Sequence, residues 1–503
     1  MSFLLDSCRT ASALNALSVL KAERGYQRIN TKGPRMITND LRCDVWLKGW
    51  IGGIFFLNFC VFQRMMCAMQ FQNSTLAAGL KSGASLDDSS VFFFRKFPLP
   101  KQNHVIRMIR TLLFVCMVGI GGLSLSVQAK PLKVFVLVGQ SNMQGHAHVR
   151  TLEHVGMDPK TAPILNDLTD SNGIPRVSKD VWITYLSAQG VVSGQLTAGF
   201  GASEEKIGPE WSFGVYMQKM VNEPILLIKA AWGGKSLNTD FRSPSAGPYE
   251  FNSGQLENFK KQGKDLDAIQ QTKTEATGHY YRETVAFVKK SLAQIQDVYP
   301  GYNPNEGYEL AGMVWFQGWN DMVDRGTYPE RDQPGGYGDY SDALAHFIRD
   351  VRKDLEAPEL PFVIGVLGVG GPVDLYLPGQ QRYKGIHQNY RDAMAAPAKM
   401  PEFKGNVSVV LTERYWDQEL TRLRARQNEI NQKVRKAQSE KDLSRAEQEE
   451  LREQLQKEAF TSKELLALEK GVSNGEYHYL GSAKILTQIG KAFADSMHGL
   501  LKH

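Results

Sequence analysis

The stretch Leu132-Lys-Val-Phe-Val-Leu-Val138, followed at once by Gly139-Gln-Ser-Asn-Met143, decides how the rest of the chain is interpreted. The apolar, β-branched run is typical of a buried strand, and the glycine and polar residues after it predict a sharp turn into a helix. Such a turn exposes a hydroxyl and points backbone N–H groups at one spot, which suits a developing oxyanion. Ser141 is therefore a candidate nucleophile that still requires a base. The string is not the G-x-S-x-G elbow of α/β-hydrolases, and taken alone it equally suits a helix-capping serine.

Four further apolar runs predict strands, and helical patterns lie between them. This alternation predicts an α/β fold: a three-layer sandwich with a mostly parallel five-stranded sheet of the flavodoxin-like type. In such sheets ligands bind beyond the carboxyl ends of the strands, so we expect the site there. The predicted strands are Leu132–Val138, Pro224–Lys229, Leu310–Phe316, Phe362–Leu367 and Val407–Leu411, and the clearest helices are Trp211–Val221, Arg282–Val298, Asp342–Leu355 and Ser482–Leu500.

One segment near the C-terminus does not fit this pattern. Residues 417–470 are rich in Glu, Lys, Arg, Gln and Leu, with almost no strand-forming residues. Ser444-x-x-Glu447 and Thr461-x-x-Glu464 resemble capping boxes. We expect a helical hairpin or short coiled coil inserted before the last helix. It is either a solvated excursion without a role or an arm that contacts a protein partner or a cell wall.

The first 129 residues differ in composition from the rest of the chain. They carry 15 Lys and Arg against 6 Asp and Glu, whereas the remainder carries 44 against 47. The net charge of +6 thus belongs to the leader, and we expect no nucleic-acid partner. The later residues have neither a disulfide framework nor a thiolate metal site, because every cysteine precedes residue 130: Cys8, Cys43, Cys60, Cys67 and Cys116.

Residues 108–129 have the pattern of a secretory signal peptide. Arg110 is followed by an uncharged apolar run and then by Val127-Gln-Ala129, a small-residue cleavage site. The alternative is a membrane-spanning helix, although the run is at the short edge of spanning length. Residues 1–107 carry no motif, and we interpret them as an over-extended gene model or a poorly ordered extension. The expected mature chain, 130–503, is secreted or periplasmic and meets the membrane only through the transient signal peptide.

Five short blocks in order resemble the sialate O-acetylesterase domain of the SGNH-hydrolase superfamily, close to carbohydrate esterase family 6. The resemblance covers roughly residues 132–495, less the helical segment, and implies an SGNH-hydrolase fold. The blocks are Val138-Gly-Gln-Ser-Asn-Met143-x-Gly145, Gly208-Pro-Glu210-Trp-Ser-Phe-Gly214, Lys229-Ala-Ala-Trp-Gly-Gly-Lys235, Val314-Trp-Phe-Gln-Gly318 and the loop of His478 before the final helix.

This resemblance implies an exported serine esterase that hydrolyses O-acetyl esters of carbohydrate without a cofactor. Ser141 would attack the acetyl carbonyl and His478 would take its proton. The oxyanion would be bound by the N–H of Ser141, a backbone N–H of Gly233 or Gly234, and the side-chain amide of Gln317. Residues of the blocks that would contact substrate are Gln140, Asn142, Glu210, Trp232 and Trp319.

The sequence departs from the family in the acid that completes the triad. Members commonly have an Asp three residues before the histidine, where this chain has Gly475, or a Glu after the Gln-Gly pair, where it has Trp319. Two substitutes remain, Asp321 and Glu476, and either would orient the imidazole of His478. A Ser-His dyad without an acid is a further possibility and would be slower.

Two other interpretations stay open at this point. A domain that has lost its acid would bind carbohydrate with little turnover, and a different esterase would act on lipid or aryl esters, although no amphipathic lid lies near Ser141. His146 and His148 follow the nucleophile closely, but their spacing and the lack of a third ligand argue against a metal site.

Overall fold

The structure, a computed structural model, describes residues 130–502, and the leader expected at residues 1–129 lies outside them. Its strands are β1 Leu132–Gly139, β2 Ala147–His148, β3 Val181–Ser187, β4 Gly190–Gln195, β5 Lys206–Ile207, β6 Ile225–Ala231, β7 Tyr308–Phe316, β8 Phe362–Val366 and β9 Val407–Leu411. Seven of them form one sheet in the order β4-β3-β6-β1-β7-β8-β9, while β2 and β5 pair separately. Every neighbouring pair in the large sheet is parallel except β3 and β4.

All five predicted strands are present, but the predicted strand count was too low by two. The missed strands, β3 and β4, form an antiparallel hairpin at one edge of the sheet. β4 is solvent-exposed, with Val191 and Val192 more than half exposed. Polar residues such as Thr184 and Ser187 interrupt the apolar run of β3. A search for unbroken apolar runs finds strands buried on both faces and misses an edge hairpin of this kind.

The helices cover both faces of the sheet. Trp315 and Phe316 are neighbours on β7 and therefore point to opposite faces. The Trp315 ring packs on Phe347 with centroids 4.4 Å apart, and the Phe316 ring packs on Phe493 at 5.3 Å. This is the predicted three-layer arrangement. The helices are α1 Ser141–Gln144, α2 Leu152–Gly156, α3 Ala162–Leu168, α4 Pro209–Val221, α5 Ser253–Lys261, α6 Leu266–Ala276, α7 His279–Ala293, α8 Ile295–Val298, α9 Trp319–Val323, α10 Gly338–Asp354, α11 Lys384–Ala395, α12 Gln418–Lys441, α13 Arg445–Ala459, α14 Ser462–Gly471 and α15 Ala483–Leu500. None of these helices, which all lie within the described part of the chain, is long and apolar enough to cross a membrane.

The segment 417–470 is helical as predicted, but it contains three helices, α12 to α14, and not a simple hairpin. Both predicted capping boxes are formed, at Ser444 and at Thr461. The three helices enclose a small core of their own, separate from the main core of the sheet: Leu423, Ile430, Val434 and Phe460. We call α12 to α14 the helical insertion.

Candidate active site

Three adjacent strands end where the chain changes direction across the sheet. From β1 the chain continues to β3 and β6 on one side, and then to β7, β8 and β9 on the other. A parallel sheet opens a crevice beyond the carboxyl ends of its strands at such a point. The Ser141 turn follows β1, Trp232-Gly233-Gly234 follows β6, and Gln317-Gly318 follows β7. The structure thus brings three of the five sequence blocks to one edge of the sheet.

Ser141 lies at the first position of α1, on the turn that the sequence predicts. A Cβ atom at Gly139 would lie 2.1 Å from the Phe316 carbonyl oxygen, so only glycine allows β1 and β7 to approach here. Gln140 caps the helix, and its side-chain Oε1 accepts a hydrogen bond from the Ser141 N–H at 2.6 Å. The Ser141 hydroxyl donates to the same oxygen. Ser141 is buried but keeps 8% of its surface exposed.

A buried ion pair fixes the helix that carries Ser141. The Lys229 Nζ lies 2.8 Å from Glu210 Oε2, and both side chains are fully buried. The same ammonium donates to the carbonyl oxygens of Gln144 and Phe200 at 2.9 Å and 2.7 Å. The other Glu210 oxygen accepts from the Gly208 N–H at 2.9 Å. Glu210, expected to contact substrate, instead stabilises the turn between β1, α1 and β6.

His478 lies on a tightly held loop, the 3₁₀ turn Glu476–Gly481, that packs against α1. Its neighbours Tyr479 and Leu480 have positive φ angles of 53° and 60°. The Tyr479 hydroxyl accepts from the Gly368 N–H at 2.8 Å and lies 2.7 Å from the Thr412 hydroxyl. These contacts anchor the strained backbone next to the imidazole.

The residue that orients the His478 ring is Asn474. His478 Nδ1 lies 3.1 Å from Asn474 Oδ1. The same oxygen accepts the Gly475 N–H at 2.7 Å, which fixes the orientation of the amide. Because this oxygen can only accept, the proton of the neutral ring is held on Nδ1. Nε2 then carries the lone pair that a general base needs.

The imidazole of His146 stacks on that of His478. The ring centroids are 4.0 Å apart and the planes differ by 1°. Burial lowers the pKa of His478 to about 4, and the positive charge of Lys206 adds to this effect. Burial, with the neighbouring His478, lowers the pKa of His146 to about 3. Both rings are therefore neutral near pH 7, and His478 is in the form that accepts a proton.

Neither acid predicted for the triad contacts the imidazole. The Asp321 carboxylate is fully buried and accepts hydrogen bonds from Leu237, Asn238, Gln317 and Tyr328. Burial raises its pKa, opposed by those hydrogen bonds. The prediction that Asp321 is the acid of the triad is therefore wrong. Its carboxylate instead stabilises the loop after β6. Glu476 is exposed and makes no hydrogen bond to His478 in the described structure.

Gln317 is not directed at the crevice as expected. Its Nε2 donates to Asp321 Oδ2 at 2.5 Å and to the Lys235 carbonyl at 3.1 Å, so both of its N–H donors are used. Gly233 is better placed, since a Cβ atom there would lie 3.9 Å from Ser141 Cβ. Gly234 is exposed next to it. Of the predicted oxyanion donors, the Ser141 N–H donates to Gln140 Oε1, and the backbone after β6 lies beside the Ser141 side chain.

The predicted substrate contacts differ in accessibility. Gln140 and Asn142 are buried, and Trp232 packs against Phe241 and Tyr280 with 5% of its surface exposed. These residues build the site and do not present a free face. Of the predicted substrate contacts, Trp319 is the one that lines an open cavity.

We call this space, of about 370 Å³, the aromatic cavity. Trp319 lies beside Tyr477, with ring centroids 5.8 Å apart, and Tyr477 contacts the His478 ring at 4.4 Å. Tyr376 and Tyr383 form other parts of the wall. The cavity thus reaches the turn Glu476–Gly481 that carries His478. Its flat aromatic faces suit the C–H surfaces of sugars.

His146 and His148 contact different neighbours. His148 Nε2 lies 3.3 Å from Glu205 Oε2, while the His146 ring stacks on His478. Between residues 130 and 502 no three His, Cys, Asp or Glu side chains are grouped as metal ligands.

Sequence reasoning missed Asn474 and the stacking role of His146. An amide four residues before His478 carries no distinctive pattern, and the stack joins two segments far apart in the chain. A search for any acceptor near the histidine loop, and not only for acids, would have found Asn474.

Comparison with known proteins identifies the family. The family model described as "Carbohydrate esterase, sialic acid-specific acetylesterase" matches residues 131–413, more than half of the chain. The chain belongs to this family of carbohydrate esterases. The helical insertion and His478 follow the matched region.

The solved structures that are similar to the chain include two of low sequence identity. A protein from Arabidopsis thaliana is 18% identical, with 56% of this chain and 86% of that chain covered and a TM-score of 0.31. A carbohydrate acetylesterase from Xanthomonas citri is 13% identical, with 55% of this chain and 49% of that chain covered and a TM-score of 0.30. No curated protein sequence matches the chain.

Proposed function

We propose that the chain is a serine esterase that hydrolyses O-acetyl esters of carbohydrate. The observation that carries this proposal is the position of Ser141, at the carboxyl end of the central strand β1, with a neutral imidazole on a loop packed against its helix. Membership of a carbohydrate esterase family supports the substrate class. The aromatic cavity beside His478 supports a sugar as the alcohol part of the ester.

The reaction follows from the side chains present. Within the described residues the Ser141 hydroxyl donates to Gln140 Oε1 and makes no hydrogen bond to His478. For the reaction it turns to His478 Nε2, gives up its proton and attacks the acetyl carbonyl. The backbone N–H of Gly233 stabilises the resulting oxyanion. The intermediate expels the sugar oxygen, which takes the proton from His478, and leaves an acetyl ester on Ser141. A water molecule activated by His478 then releases acetate and restores the serine.

Asn474 performs only part of the role that the acid performs in a catalytic triad. Its oxygen fixes the ring and the Nδ1 tautomer, but a neutral amide does not stabilise the imidazolium as a carboxylate does. We therefore propose a slow esterase. The same observation favours a second candidate, a carbohydrate-binding protein with little turnover.

Acetate release from acetylated xylan, acetylated sialate and acetylated peptidoglycan tests the proposal. Release from at least one substrate, lost in Ser141→Ala, is the expected result. Binding of one of these glycans without acetate release would select the second candidate. Release from aryl or lipid esters alone would contradict a carbohydrate substrate.

We also propose that the protein is exported and that the mature chain begins at Lys130. The signal-peptide pattern of residues 108–129 and the change of charge at the same place support this. N-terminal sequencing of the native protein tests it, and residues upstream of Met108 in that sequence would contradict it.

A further inference from the structure

A second space adjoins the aromatic cavity. It has a volume of about 480 Å³ and lies between residues 377–380 and the first half of α12, from Thr421 to Glu429. We call it the insertion groove. Gln380 and Glu476 line both spaces, so the two adjoin at these side chains.

From this adjacency we infer that the insertion groove is a binding site for the sugar units that follow the acetylated one. The acetylated unit would occupy the aromatic cavity, and the rest of an oligosaccharide or polysaccharide would lie along α12. This inference rests on the proposed function and adds that the preferred substrate is a chain of sugars.

The chemistry of the α12 wall fits a hydroxyl-rich ligand. It presents Arg422, Asn428 and Glu429, which are all exposed, and no large apolar side chain. An acyl chain or an apolar peptide would bury apolar surface against Leu377 and Pro378 on the opposite wall, but little against α12. Sugar hydroxyls, in contrast, donate to and accept from each of these groups.

Of the charged groups on this wall, Arg422 is available to a ligand at small cost. Arg422 pairs with Glu419 of the same helix at 3.1 Å, and both side chains are more than half exposed. Such surface pairs contribute little to stability, so the guanidinium is free to turn toward a ligand.

The length of the wall points to more than one sugar unit. From Thr421 to Glu429 the helix rises by about 12 Å, at about 1.5 Å per residue. This exceeds the span of a single ring in the aromatic cavity. The wall also belongs to a segment outside the region that matches the family, residues 131–413. The insertion thus adds a subsite to a catalytic domain shared with the family.

The test compares an O-acetylated monosaccharide with an O-acetylated oligosaccharide built from the same sugar. In the double variant Arg422→Ala/Asn428→Ala we expect kcat/KM for the oligosaccharide to fall about tenfold, as for the loss of one or two hydrogen bonds. The value for the monosaccharide should stay unchanged. Arg435→Ala is the matched control, because Arg435 is exposed on the same helix but does not line the groove. Equal losses on both substrates, or no loss relative to the control, would overturn the inference.

A binding measurement separates this inference from the esterase proposal. Titration calorimetry of Ser141→Ala with the unacetylated oligosaccharide should show binding that weakens about tenfold when Arg422→Ala/Asn428→Ala is added. If this holds while the native protein releases no acetate, the groove stands and the esterase proposal fails. If acetate is released but the titration detects no α12-dependent binding, the groove is wrong and the esterase proposal stands.

Discussion

At the scale of single residues, the site is defined by how the His478 ring is held. Asn474 fixes one edge of the ring through Nδ1, and His146 covers one face. No carboxylate of the described structure bonds to the ring, so its environment lowers the pKa and does not stabilise the charged form. The arrangement keeps the base neutral and oriented, but it does not stabilise the imidazolium that forms during the reaction.

Two substitutions of Asn474 should change kcat in opposite directions. Asn474→Ala removes the acceptor that His478 Nδ1 has in the described structure and should lower kcat about tenfold, because the ring loses its orientation. Asn474→Asp places a carboxylate there, should raise kcat about tenfold, and should raise the pKa of His478. Steady-state kinetics on an acetyl ester checks both, and equal kcat values in the three proteins would contradict a positioning role.

The pH dependence of kcat/KM should reflect the partly buried imidazole of His478. Since burial lowers the pKa of His478 to about 4, the base stays unprotonated down to about that pH, and activity should fall only below it. His146→Ala exposes the ring and should move this acidic limb upward, toward the ordinary histidine value. His146→Phe keeps the ring covered and should leave the limb near pH 4. A native limb near pH 6.5 would show that the ring is not buried in solution.

At the scale of elements, the Glu210–Lys229 pair joins α4 to β6 beneath the Ser141 turn. The pair is fully buried, so removing one partner leaves an uncompensated charge in the core. Lys229→Met should lower the free energy of unfolding by about 3–5 kcal/mol. Adding Glu210→Met should restore part of the loss, because no buried charge then remains. Urea titrations measure both, and a single variant within about 1 kcal/mol of the native protein would show that the pair is not a structural requirement.

The helical insertion should be removable, but only between the correct residues. Its small core is separate from the main core, so a short Gly-Ser loop in place of residues 422–468 should leave cooperative melting intact. Asp417 must stay, because its buried carboxylate pairs with Lys484 at 2.9 Å and lies 3.2 Å from His154 Nε2. Replacement of 417–470, which removes Asp417, should therefore lower the melting temperature further than the shorter replacement. Loss of cooperative melting in the shorter replacement would show that the insertion belongs to the main core.

At the scale of the whole molecule, the sequence predicts the features of the fold that depend on local residue patterns. The apolar run of β1 and the Gly139 turn predict the central strand and the position of Ser141 at its end. The structure adds the reason for the glycine, since the approach of β7 allows nothing larger there. The order of strands and helices predicts the three layers. The same patterns do not predict the edge hairpin of β3 and β4, because a strand with an exposed face has the residue pattern of an ordinary polar segment.

The site itself depends on contacts that the sequence does not reveal. Asp321 resembles a catalytic acid by position, yet backbone donors at Leu237 and Asn238, 84 and 83 residues away, use its oxygens. Gln317 is withdrawn from the crevice by the same carboxylate. Partners so distant in the chain become visible only when the loops after β6 and β7 are folded together.

The central claim is that Ser141 becomes acetylated during turnover, and peptide mass spectrometry of a rapidly quenched reaction tests it most directly. With an acetylated sugar as substrate, we predict an acetyl group on the peptide that contains Ser141, formed before steady-state acetate release and absent in Ser141→Ala. Acetate release that continues in Ser141→Ala, or a native protein that releases acetate while Ser141 is never acetylated, would contradict the account.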